Sequence, residues 1–173
     1  PTVIAWGLPM LCGFLAGGLL GASLGLLRWW TGAHEVITSI LMNFVVRAAL
    51  IGLGSLLFMK QSVHTKPIVA AAELPRLSQF LPSLHGSAAN LALGVSLLLL
   101  LGYGLLLTRT RLGFSLRALG ANPEATAAAG LHLGRLRTLA LTLSGGLAGL
   151  GGVSFVLGYK HYYEDGFSSG LGY

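Results

Sequence analysis

Residues 109–131, RTRLGFSLRALGANPEATAAAGL, form the one long stretch of this chain that is neither apolar enough for a membrane nor a simple turn. Arg109, Arg111 and Arg117 crowd its start, and Arg135 and Arg137 follow its end. Apolar runs flank it at 91–107 and 139–157. A cationic segment between two membrane-grade runs is what the positive-inside bias predicts for a cytoplasmic loop. Asn122-Pro123-Glu124 supplies an N-cap, a proline at the first helical position and an acid in the first turn. Gly120 is expected to close a short helix over about 113–119, and Gly130 a second over about 123–129 in the left-handed C′ position. Two short capped helices at a membrane surface make an organised docking element rather than slack chain.

Composition leads to the same class. Of 173 residues, 54% are hydrophobic and only 9% charged, with 26 glycines and a mean hydropathy of +0.76. Soluble domains are roughly a quarter charged, so this is a membrane composition. The net charge of +6 and pI near 10.0 would suggest nucleic acid in a soluble protein. Here the basic residues sit beside apolar spans, where topology and anionic lipid account for them. No basic patch interleaved with aromatics is present, which argues against a nucleic-acid partner.

The first span is read at 3–27, without charge until Arg28. About 25 residues at 1.5 Å each reach roughly 37 Å, enough for a hydrocarbon core of about 30 Å with tilt. Gly13, Gly17, Gly21 and Gly25 recur every fourth residue and mark one ridge for close helix approach. Arg28-Trp29-Trp30 anchors its end at the interface. The second span, 36–59, carries Asn43 and Arg47 on one face. An Arg in mid-span costs about 2.5–3.5 kcal/mol on insertion scales, so it should face the bundle interior or a watery path. Both residues are candidates for a polar path, with structural pairing to another helix as the alternative, favoured for Arg47.

Residues 60–89 hold Pro67, Pro75 and Pro82 and read as an external loop with short pieces such as 77–81. The third span is expected at 90–107 and the fourth at 138–158, leaving 108–137 as the cytoplasmic loop. In the fourth, Ser144, Ala148 and Gly152 share one small-residue face and Gly145 with Gly149 a neighbouring one. The fold class is therefore all-α, a polytopic transmembrane bundle of about four spans with a cytoplasmic loop of two short helices. On this topology six arginines lie inside (28, 109, 111, 117, 135, 137) against four cations outside (60, 66, 76, 160). The chain opens on Pro1 without a basic leader and stops after a Gly-rich turn at Tyr173, so a fragment of a longer protein is expected.

The string Gly113, Leu116-Arg117-Ala118, Gly120, Asn122-Pro123, Ala125, Gly130 resembles the cytoplasmic coupling loop of ABC-transporter permeases. The similar branch handles simple sugars and nucleosides, where the loop reads roughly G-x-x-L-R-A-x-G-x-N-P-x-A-A-x-x-A-G-I. Thr126 and Leu131 depart mildly from that pattern. A second ordered match runs from Gly32 to Asn43 and resembles G-x-x-E-V-I-x-T-I-M-L-N, with Ser39 for Thr and Leu41-Met42 transposed. The resemblance implies the permease subunit of an ATP-driven importer in a bacterial plasma membrane, moving a nucleoside or simple sugar by alternating access. It implies as partners an ATP-binding cassette subunit, a second permease subunit, an extracytoplasmic substrate-binding protein and the lipid bilayer. Arg117, Gly120, Asn122, Pro123, Glu124 and Gly130 would then dock on the ATPase, with ATP and magnesium on that partner and no cofactor on this chain. A non-transporting scaffold or a secondary transporter are the alternatives.

Catalytic motifs fail on context. Gly166-Phe167-Ser168-Ser169-Gly170 has the G-x-S-x-G form but follows a span rather than a strand. His34-Glu35 begins an HExxH that Thr38 breaks, and His64, His85, His132 and His161 lack ligand spacing. Cys12 is the only cysteine, which excludes an internal disulfide and a CxxC zinc site. No P-loop lysine follows the glycines at 145–152. The chain is not expected to be an enzyme.

Overall fold

The computed structural model describes residues 2–32, 34–57, 65–69, 72–75, 90–164 and 166. The loop pieces expected at 77–81 and nearly all of the 166–170 motif lie outside these residues. Four long helices dominate: α1 (Thr2–Thr31), α2 (Glu35–Leu57), α3 (Leu91–Arg109) and, after two short helices, α6 (Leu133–Phe155). All four are long and apolar enough to cross a membrane. The short pair is α4 (Arg111–Ala121) and α5 (Pro123–Ala128). No strand pairing beyond isolated bridges occurs among the described residues, so the architecture is an all-α helical bundle.

The centre of the fold is the antiparallel seam of α1 and α6. In lipid, apolar side chains gain nothing by leaving the bilayer for each other, so association rests on close packing of small residues. A Cβ at Gly17 would lie 2.2 Å from the Gly145 carbonyl oxygen, and one at Gly149 only 2.1 Å from that of Gly13. Backbone meets backbone along this line. The ridge read from Gly13 to Gly25 is thus occupied, and its partner is the Gly145/Gly149 ridge. The other small face of α6, Ser144, Ala148 and Gly152, lines an open cavity of about 1080 Å³ with Ala16, Leu50 and the 67–69 segment.

Helix ends are set locally. Gly32 closes α1 at φ 66°, its N–H donating to the Arg28 carbonyl. α6 starts at Leu133, so Arg135 and Arg137 sit in its first two turns rather than in a loop. At its far end it widens into one π turn, Val156–Lys160, ending on His161 at φ 61°. A π turn releases carbonyls from the regular ladder, and Asn90 takes one of them. Its amide nitrogen donates to the Gly158 carbonyl at 2.9 Å while its Oδ1 accepts from the Ala92 N–H at 3.0 Å, capping α3. One side chain thereby ties α3 to α6.

The described part of the expected external loop straps this same end. The N–H groups of Thr65, Ile68 and Leu74 donate to the carbonyls of Tyr163, His161 and Leu157 at 2.8, 2.8 and 3.1 Å. Leu74, Met10 and Leu157 form a small buried cluster under the strap. By contrast α2 and α3 turn almost their whole surface outward; Phe44, Val45, Leu98 and Leu101 are each more than half exposed. Replacing Asn90 with alanine leaves the Gly158 carbonyl and the first turn of α3 unserved. About 1–2 kcal/mol of local stability should go with them, read as faster hydrogen exchange at 91–94.

Candidate functional site

At the arginine-bearing end, α3 turns into α4 about Thr110, which holds both helices. Its hydroxyl donates to the Leu106 carbonyl at 2.6 Å and accepts from the Gly113 N–H at 3.0 Å. Gly113 is buried in the corner, where a Cβ would lie 2.1 Å from the Leu106 oxygen and 2.5 Å from the Leu107 Cα. The first glycine of the matched string is therefore there for backbone approach.

Gly120 behaves otherwise. The sequence reading ends the first short helix on it, but it lies inside α4, which runs on to Ala121, and it has no positive φ. The stop comes from Pro123, which bars its predecessor from the α region. Asn122 accordingly stands extended at φ −154° and ψ 104°. Its N–H closes α4 on the Ala118 carbonyl at 3.0 Å, and its Oδ1 opens α5 by accepting from the Ala125 N–H at 3.0 Å. Asn122 is both the last brace of one helix and the cap of the next.

α5 ends as the sequence suggests. Gly130 stands at φ 79°, its N–H donates to Ala127 at 2.9 Å, and the Leu131 N–H reaches back to Thr126 at 3.2 Å. That pair of bonds is a Schellman closure. Thr126, a mild departure from the family pattern, turns out to be structural. It is buried, and its hydroxyl donates to the Asn122 carbonyl at 2.8 Å, a second grip on the corner. The signal for it is the i, i+4 Asn–Thr spacing, since threonine bonds back one turn.

Arg117, Gly120, Asn122, Pro123, Glu124 and Gly130 are all exposed. Between α4 and α5 lies a shallow cavity of about 300 Å³, walled by Phe114, Ala118, Ala121, Ala125, Ala129 and Leu131. The sequence gives no sign of this concavity; it arises because alanines leave the two short helices without bulk where they face each other. Gly113→Ala is expected to lower the thermal midpoint of the full-length protein by several degrees. Gly120→Ala, with nothing within 4 Å, should leave it unchanged or raise it, by up to about 0.5–1 kcal/mol of helix preference.

Asn43 and Arg47 lie on α2, both exposed and on one face with Leu50, which lines the large α1–α6 cavity. Neither borders that cavity itself. No group of three or more metal-ligating side chains occurs among the described residues.

Among the described residues, four apolar helices with a built, outward-facing corner at one end define a polytopic helical membrane protein. A family model described as the permease component of the branched-chain amino acid transport system matches residues 4–173, and the chain belongs to that family. Among curated relatives it is 30% identical to the nucleoside ABC transporter permease protein NupB of Lactococcus lactis, over 94% of this chain and 46% of that protein. It is 29% identical to the guanosine ABC transporter permease protein NupP of Bacillus subtilis, covering 100% of this chain and 50% of that one. It is also 29% identical to the probable riboflavin import permease protein RfuC of Treponema pallidum, with 99% and 45% covered. The chain spans about half the length of the curated relatives it matches. No solved structure matches it significantly.

Proposed function

We propose that this chain is part of the permease subunit of an ATP-driven importer for nucleosides or related small polar solutes such as simple sugars, in a bacterial plasma membrane. ATP would be hydrolysed on a separate cassette subunit; a second permease subunit and an extracytoplasmic binding protein complete the assembly. The observation that carries this reading is the Asn122 corner. It is two short helices locked in fixed relative orientation, with the six candidate docking residues, five of them matched to the family pattern, exposed on them. A rigid lever of this kind can pass a partner's movement into α3 and α6, to which it is joined without slack. Family membership supports transport over a scaffold role. A reconstituted complete transporter tests it: binding protein loaded with nucleoside should stimulate ATP hydrolysis and drive uptake. Hydrolysis indifferent to every solute would defeat the proposal.

Asn43 and Arg47 are the proposed polar groups of the path. The five acids of the chain, Glu35, Glu73, Glu124, Glu164 and Asp165, all fall outside the interiors of the four spans. These spans therefore offer Arg47 no mid-membrane carboxylate, and a solute rich in oxygen acceptors would suit its guanidinium. Arg47→Leu is expected to cut uptake by about tenfold or more, the loss of one charge-assisted hydrogen bond of roughly 1.5–3 kcal/mol. Uptake falling only in step with the amount of inserted protein would make Arg47 a packing group.

A further inference from the structure

The end of α1 and the start of α6 enclose a cavity of about 280 Å³ that the transport reading does not use, lined by Gly25, Arg28, Trp29, Gly32, Gly134 and Arg137. We infer that it is a site for the phosphate of an anionic phospholipid headgroup. Two guanidinium groups, one from each helix, line the same small space, and no carboxylate among the described residues does. A guanidinium offers five donors and no acceptor, in a fork that matches phosphate oxygens. Arg28 already has an interaction within the protein, so Arg137 is the guanidinium on which the site chiefly rests.

The walls fit the same ligand. Trp29 is seated directly on the α6 backbone, since a Cβ at Gly134 would come within 2.6 Å of its ring. The ring therefore forms a fixed side of the cavity, and glycines on the other sides leave the backbone open.

Depth selects lipid over a soluble anion. Trp29 and Trp30 are 50% and 76% exposed at the end of an apolar span, the position at which tryptophan lies among headgroups. Arg109, Arg111 and Arg135 are exposed at the same end of the bundle and would concentrate anionic lipid around it. The cavity would then turn a diffuse attraction into one held molecule, bridging the two helices of the central seam at their ends.

The test uses the full-length permease with its partner subunits, in nanodiscs of phosphatidylcholine with added phosphatidylglycerol, followed by native mass spectrometry of lipid retained on release. Wild type should retain phosphatidylglycerol in preference to phosphatidylcholine. Arg137→Gln should lose that preference several-fold, while Arg111→Gln, the same charge change outside the cavity, should keep it. Equal retention by Arg137→Gln, or an equal loss in Arg111→Gln, would overturn the site in favour of general surface attraction. Displacement of the lipid by millimolar inorganic phosphate would overturn the lipid assignment. If Arg137→Gln does not assemble, Arg137→Lys decides: it keeps the charge without the fork, so partial retention supports the site and full retention refutes it. Lipid retention is read without transport, so its failure leaves the importer reading untouched.

Discussion

With Asn122 and Pro123 both replaced by alanine, the complete transporter is expected to lose substrate-stimulated ATP hydrolysis while the cassette subunit keeps its basal rate. The expectation rests on what the corner is made of. Asn122 stands extended because Pro123 forbids it the helical region, and so α4 and α5 meet at a fixed angle. Its Oδ1 and N–H then hold one end of each helix. Alanine at both positions removes the cap, worth about 1 kcal/mol. It also removes the steric bar, which favours relaxation into one continuous helix through 111–128, since alanine is the best helix former and this stretch is rich in it. A six-residue helix cannot persist on propensity alone; without its corner it either merges or melts. Either way the six exposed residues leave their common surface, and the lever is gone. α4 remains anchored through Thr110 and Gly113, so insertion of the spans should be intact. The measurement is hydrolysis with and without loaded binding protein, beside membrane-inserted protein level. Stimulation unchanged in the double variant would reduce this corner to a topological anchor and remove the main support for the coupling proposal.

How much of this is legible in the sequence depends on the range of the forces concerned. The Asn-Pro cap and the Gly130 closure are decided within five residues, and both can be read from the chain alone. Gly120 shows the limit of the same reasoning. Glycine is permitted at a helix end but does not compel one, and the proline two residues beyond the true end settles the boundary instead. Hydropathy puts the arginines at 135 and 137 in a loop because it marks where lipid begins, not where hydrogen bonding does; α6 simply extends past the membrane-grade run. The π turn leaves no sequence signal, because Asn90, the residue that takes up its free carbonyl, is 68 positions away. In the candidate site, exposure of the matched residues follows from their polarity and small size. The alanine-walled concavity beside them does not, since it depends on the angle between two helices. The four-residue glycine ridge of α1 announces a close neighbour but cannot name it. α6 offers two small faces, and only packing chooses Gly145/Gly149 over Ser144/Ala148/Gly152.

That choice yields the second large effect. Gly149→Ala is expected to prevent assembly of a stable permease, whereas Gly151→Ala on the same helix should be tolerated. The two substitutions add the same single methyl group to the same membrane span, so any difference belongs to the seam. At Gly149 the new carbon would sit 2.1 Å from the Gly13 carbonyl oxygen and 2.9 Å from its carbon, both backbone atoms that no rotamer change can move. At Gly151 nothing lies within 4 Å. Relief at Gly149 requires α1 and α6 to separate along the whole glycine line. Gly17, whose own added carbon would meet Gly145 at 2.2 Å, and Gly21, at 2.1 Å from the Leu141 oxygen, show that the approach is equally close further along. With no hydrophobic drive between helices in lipid, separation forfeits dispersion attraction that nothing else replaces. The measurement is the thermal midpoint and monodispersity of the full-length protein in detergent, with Gly17→Ala as a second probe from the opposite helix. Gly149→Ala and Gly17→Ala should each fail or melt far below wild type, and the double variant should be little worse than either, because both open one and the same interface. A Gly149→Ala protein as stable as Gly151→Ala would mean that α1 and α6 do not meet along this line, and the central seam of the fold would have to be redrawn.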